Sequence, residues 1–343
     1  MMNVEDKDLL EHIYEATLKS EKKRLLPAMY AIKNEGEDKL AQLFGLLDND
    51  EISIKDFSGY FNYHTLNNYD VKYVAGRLLD YGAEGAGLVL SHCHNLLFGD
   101  MELDADYQAI ARRCLMLVDV QEIQMDDYLY LQSMNNYLVK HRDEEMALHI
   151  QDLQEKSFGK DHYLRGDYYL GQLYRKVFRS YPELLKPRLF ELLEDERERH
   201  SWIDLMSTGY PQEKGEEEHM YMLIPIDEWF VWLEKATTND RAYALAMMFS
   251  YSTGSEASPE MLRLLDNYWC DKVRDALSCR FHSYSWAGTG IPLYKNRIAI
   301  CKDFVSKLTN LEAKEWFTND IGYWEKEIEE ELLKNAHERA IYD

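Results

Sequence analysis

The 343-residue sequence predicts an all-α chain of stacked antiparallel helix pairs. Three observations carry that expectation. Apolar residues recur at helical spacing, as in Val71, Val74 and Leu78, in Leu170, Leu173 and Val177, and in Ile298, Cys301, Val305 and Leu308. Two-residue alternation over a strand length is hard to find. Proline (7) and glycine (17) are scarce, yet turn marks come often enough that helices of about 10–18 residues fit between them. Short helices on short connections place neighbours antiparallel, and a long series of them makes a bundle or a solenoid.

Taken in order, Val71–Tyr81 reads as a helix. The Gly82-Ala-Glu-Gly85-Ala-Gly87 run that follows reads as a helix–helix turn. It is not a phosphate loop, because no strand precedes it and no Lys-Ser/Thr follows. Asp48-Asn-Asp50-Glu51 mimics the start of a calcium loop but fails at its sixth position (Ser53) and its twelfth (Gly59), so it reads as a capped turn. Acidic residues crowd around 206–225, the candidate irregular connection between an N-terminal region (1–205) and a C-terminal one (226–343). Further on, Ser258 can cap a helix with Pro259 at its first position and Glu260 on its positive end. Asp266–Asn267 is the expected interruption before a second face of Val273, Ala276 and Leu277. Helices over Tyr294–Leu308 and Leu311–Tyr323 come next. A charged helix from Tyr323 closes the chain, with Trp324, Ile328, Leu332 and Ala336 along one side.

The segment from Phe281 to Asn335, roughly a sixth of the chain, resembles the closing repeats of bacterial HEAT-like α-solenoids. It has a Gly-containing loop ahead of a helix, a short turn, a helix with a Trp near its start (Trp316), and a charged final helix. The resemblance implies a HEAT-like α-solenoid with a terminal capping helix. Such arrays are often attached to defence or signalling proteins, where they bind partners or sense ligands.

Composition bounds the function. The net charge of −23 (39 basic against 62 acidic residues) repels phosphate backbones, so no nucleic-acid or anionic-membrane partner is expected, and a basic protein partner is favoured. No segment approaches a membrane span and no apolar leader is present, so a cytoplasmic protein is expected. The five cysteines show no CxxC pair and read as reduced thiols.

No cofactor or metal site is expected. His92–Cys93–His94 is the densest ligand-type cluster, but neighbours on a helix diverge by about 100°, so the three cannot converge on one ion. No catalytic residue is assigned. The leading expectation is a non-enzymatic protein that binds a macromolecule through an acidic, aromatic-rich surface. Trp229, Trp232, Trp286, Glu216, Glu217 and Glu218 are its candidate contacts, although Trp and Tyr at helical spacing also serve as core. Two alternatives stand beside it: a bacterial toxin-immunity or antiphage-defence component, and a helical enzyme using His92, His94 and nearby carboxylates.

Overall fold

In a computed structural model, residues 37–50, 53–54, 68–99, 103–118, 127–159, 162, 164, 166–211, 217–236, 238–252, 257–283 and 289–342 are described. Their regular structure is helical, apart from a two-stranded antiparallel ladder, β1 (Gly209–Pro211) with β2 (Glu217–His219). That ladder and a 3-10 turn (Met220–Leu223) occupy the described part of the expected 206–225 connection. The chain falls into two compact units, one up to Leu173 and one from Tyr174 onward.

The first unit contains α1 (Glu37–Asp48), α2 (Asn68–Leu78), α3 (Gly82–Leu97), α4 (Ala105–Leu117), α5 (Asp127–Lys140), α6 (Glu144–Ser157) and the start of α7 (Tyr168–Ser180). The stripe Val71, Val74 and Leu78 is fully buried. Asp104 and Asp143 cap α4 and α6 by accepting backbone N–H groups of their first turns. The glycine run is not a loop: α3 begins at Gly82 and passes through Gly85 and Gly87. Only Gly82, at φ 66°, makes the turn. Gly85 is required by packing, since a Cβ there would lie 1.9 Å from the Leu78 carbonyl oxygen.

The second unit holds the rest of α7, then α8 (Pro182–Leu192), α9 (Arg199–Ser207), α10 (Ile226–Lys235), α11 (Asn239–Ser252), α12 (Pro259–Tyr268), α13 (Asp271–His282), α14 (Ile291–Lys307) and α15 (Leu311–Tyr342). Ser258 caps α12 as its sequence predicts, its Oγ accepting from Met261 N. The interruption expected at Asp266–Asn267 is absent, and α12 runs on to Tyr268. Asp266 points elsewhere: its Oδ1 accepts from Thr309 N and Asn310 N at the head of α15. No break occurs at Tyr323 either. Gly322 is tolerated inside α15, because Trp324 anchors the helix just beyond it at 0% exposure.

Within each unit, alternate helices are tied together. In the first, Lys72 of α2 pairs with Asp104 at the cap of α4, Arg112 of α4 with Asp143 at the cap of α6, and His94 of α3 with Ser133 of α5. In the second, α8, α10 and α12 are joined by Lys186–Glu228 and Arg263–Asp227, and Ala257 ahead of α12 donates to Asp303 of α14. The intervening helices form a companion row. Arg199 of α9 and Lys272 of α13 both reach Asp240 of α11, and Phe281 of α13 packs edge-on against Phe317 of α15. These links recur at sequence separations of 31, 32 and 39 residues in the first unit and of 36 to 46 along the α8–α14 row.

Candidate interaction surface

The candidate aromatic contacts divide on burial. Trp229 (0% exposed) donates its Nε1–H to the Tyr221 carbonyl at 3.0 Å and meets Phe190 edge-on. Trp232 (4% exposed) stacks on Phe190, donates to Glu194 and lies beneath the Arg241 guanidinium. Both are core residues of the second unit, so the surface expected of them is not there. An amphipathic indole at helical spacing serves a core and a docking face equally well, and here the facing helix α8 supplies the partner. Glu217 and Glu218 lie on β2, opposite Pro211 and Tyr210. Glu216 and Trp286 lie outside the described residues.

Among the described residues, the exposed aromatic side chains are tyrosines instead. Tyr128, Tyr168 and Tyr169 of the first unit are each about half exposed. They meet edge-on, with Tyr128–Tyr169 centroids 4.9 Å apart and Tyr168–Tyr169 centroids 5.8 Å apart. Edge-to-face contact is a favoured arrangement for aromatic pairs and holds the three rings as one corner. The tyrosine-rich stretches flag this region in the sequence; which tyrosines turn outward is set by tertiary packing.

A second polar surface follows the companion row of the second unit. His200 of α9 stacks on Tyr243 of α11 with rings 16° from parallel. Asp204 of α9 accepts from Arg280 of α13 at 3.3 Å. Burial pushes the Arg280 guanidinium below its ordinary range, and Asp204 opposes that. Desolvation raises the Tyr243 phenol.

The row ends at a buried carboxylate. Asp320 of α15, 7% exposed, accepts from His282 Nε2 (2.7 Å), Trp324 Nε1 (2.9 Å) and the Cys301 thiol (3.7 Å). His282 and Tyr294 both stack on Trp324, so α13, α14 and α15 meet at this one side chain. Cys301 is buried and its thiol is pushed upward by desolvation, then by Asp320, which disfavours the thiolate. Sequence inspection missed this cluster because His282 and Cys301 lie 38 and 19 residues before Asp320, and only Trp324 is its neighbour along the chain.

His94 Nδ1 of α3 lies 3.0 Å from Ser133 Oγ, whose hydroxyl also lies 2.7 Å from the Leu129 carbonyl. Cys93 is 1% exposed and burial pushes its thiol up to about 12. Among the described residues no three His, Cys, Asp or Glu side chains converge as metal ligands, and no helix is long and apolar enough to cross a membrane. All five cysteines are free thiols. No protein-family model, curated protein or solved structure matches the chain.

Proposed function

We propose that this protein is a non-enzymatic HEAT-like repeat array that holds a protein partner. One observation carries the reading: alternate helices are linked in both units, at separations of 31 to 46 residues. That interval is the length of one helical hairpin plus its turns. Stacked hairpins bury a continuous core and leave rows of side chains on the outside, the geometry that repeat proteins use for extended recognition. The step from this architecture to a role is analogy.

The tyrosine corner is the contact point, because three rings in fixed mutual geometry give large amphipathic area at small entropic cost. The net charge of −23 favours a basic partner. The test is affinity capture from the source organism with the parent and with a Tyr128→Ser, Tyr168→Ser, Tyr169→Ser triple variant. A partner that the parent retains and a folded triple variant loses supports the reading. Equal retention by both removes the tyrosine corner from it.

A further inference from the structure

Helix α15 outruns the helix it packs on. Phe317 stacks on Phe304, Asp320 meets Cys301, Trp324 stacks on Tyr294, and Glu331 accepts from Gly290 N at 2.8 Å. These contacts run in opposite order along the two helices, so α15 is antiparallel to α14 and draws level with its start at Glu331. The helix then continues to Tyr342, a further length of about 16 Å. Leu332 opens that stretch at 53% exposure, and Ile328, one turn earlier, is only half-buried.

The strip of α15 that carries Leu332 has a seven-residue order. Glu325, Leu332 and Arg339 recur at intervals of seven, and Ile328 and Ala336 stand four residues either side of Leu332. At about 100° per residue these positions share a sector of about 80° on the helix. Leu333 lies about 100° further round, off the strip. Charge reverses about the centre, with an acid one heptad before Leu332 and a base one heptad after it. Lay two copies of this strip antiparallel with Leu332 on the twofold axis. Glu325 of each copy is then level with Arg339 of the other, Ile328 with Ala336, and Leu332 with its own counterpart. Parallel pairing would instead set acid against acid and base against base, which is unfavourable.

We propose that this strip docks a second copy of the chain in an antiparallel two-helix seam centred on Leu332. A twofold interface must be complementary to itself, and a strip whose charge reverses about its middle meets that condition. The large Ile328 also finds the small Ala336 opposite it. The apolar middle is short, so the seam is weak and its charged ends set the register.

The test is sedimentation equilibrium of the full chain from about 1 to 500 µM. Salt is held at about 0.15 M, where the net charges of two copies are screened beyond about 8 Å. The parent should pass from monomer to dimer across that range. Arg339→Glu sets acid against acid at both ends of the seam and should weaken association about tenfold or more. Adding Glu325→Arg to that variant reverses both ends together and should restore the dimer. Leu332→Ser should stay monomeric with the parent's helix content, while Leu333→Ser should associate like the parent. A parent that remains monomeric throughout overturns the proposal and leaves the strip to another occupant. A Leu332→Ser variant that dimerises like the parent overturns it too, as does a charge-reversed double variant no better than Arg339→Glu alone. If Leu332→Ser does not fold, the two charge variants decide.

Discussion

Asp320 shows how much a single side chain can organise. Its carboxylate receives one donor from each of α13, α14 and α15, so removing it strands the buried Cys301 and Trp324 groups and unpairs the exposed His282 at once. Asp320→Leu should lower the unfolding free energy by about 3 kcal/mol, measured by urea denaturation, since a buried donor left without a partner costs about 1–3 kcal/mol. A loss under about 0.5 kcal/mol would show the node to be dispensable. Gly85 makes a steric case of similar size. Its absent Cβ is what lets the start of α3 fold back against the Leu78 carbonyl. Gly85→Ala should cost about 1–3 kcal/mol by forcing those backbones apart, read as a lowered midpoint of the first unit's unfolding. A midpoint unchanged in Gly85→Ala would mean that the contact relaxes at no cost.

At the scale of the helix, most apolar stripes were legible in the sequence, but Val305 of α14 is only half-buried and Leu332, expected on the apolar side of the last helix, is exposed. Val71, Val74, Leu78, Leu170, Leu173 and Val177 are all buried on their helices. The Ser258 cap was legible too, because a cap acts within one turn. Boundaries that depend on distant partners were not. Asp266–Asn267 looks like a stop signal, yet Asp266 caps another helix 43 residues on. The glycines of α3 look like a loop until the neighbouring backbone is seen. Trp229 and Trp232 show the same limit, since their burial depends on Phe190 of another helix. Helix α15 gives a graded test. Trp324 is buried under two stacked rings, whereas Leu332 and Leu333 are 53% and 71% exposed. Trp324→Ala should therefore cost about 3–5 kcal/mol, while Leu333→Ser should change stability by no more than about 0.5 kcal/mol. Comparable melting shifts in the two variants would contradict the assignment of Trp324 as the anchor.

For the whole molecule, the proposed stack of hairpins implies that damage should spread to neighbouring helices before it reaches distant ones of the same unit. Phe249→Ala, in α11, should raise exchange more in the helices packed on α11 than in α15, because Phe249 packs against Tyr221 and against Phe230 of α10. A uniform rise across the second unit would indicate one indivisible core instead. The distribution of thiols gives access to these events without engineering. Cys279 is exposed and Cys270 half-buried, whereas Cys93 and Cys114 are sealed in the first unit and Cys301 in the second. A thiol reagent added to the native protein should mark Cys279 at once and Cys270 more slowly. The other three sulfurs should react only when their own unit opens. Read by mass spectrometry over time, the unmodified chain is a two-channel clock, in which Cys93 and Cys114 time the opening of one unit and Cys301 that of the other.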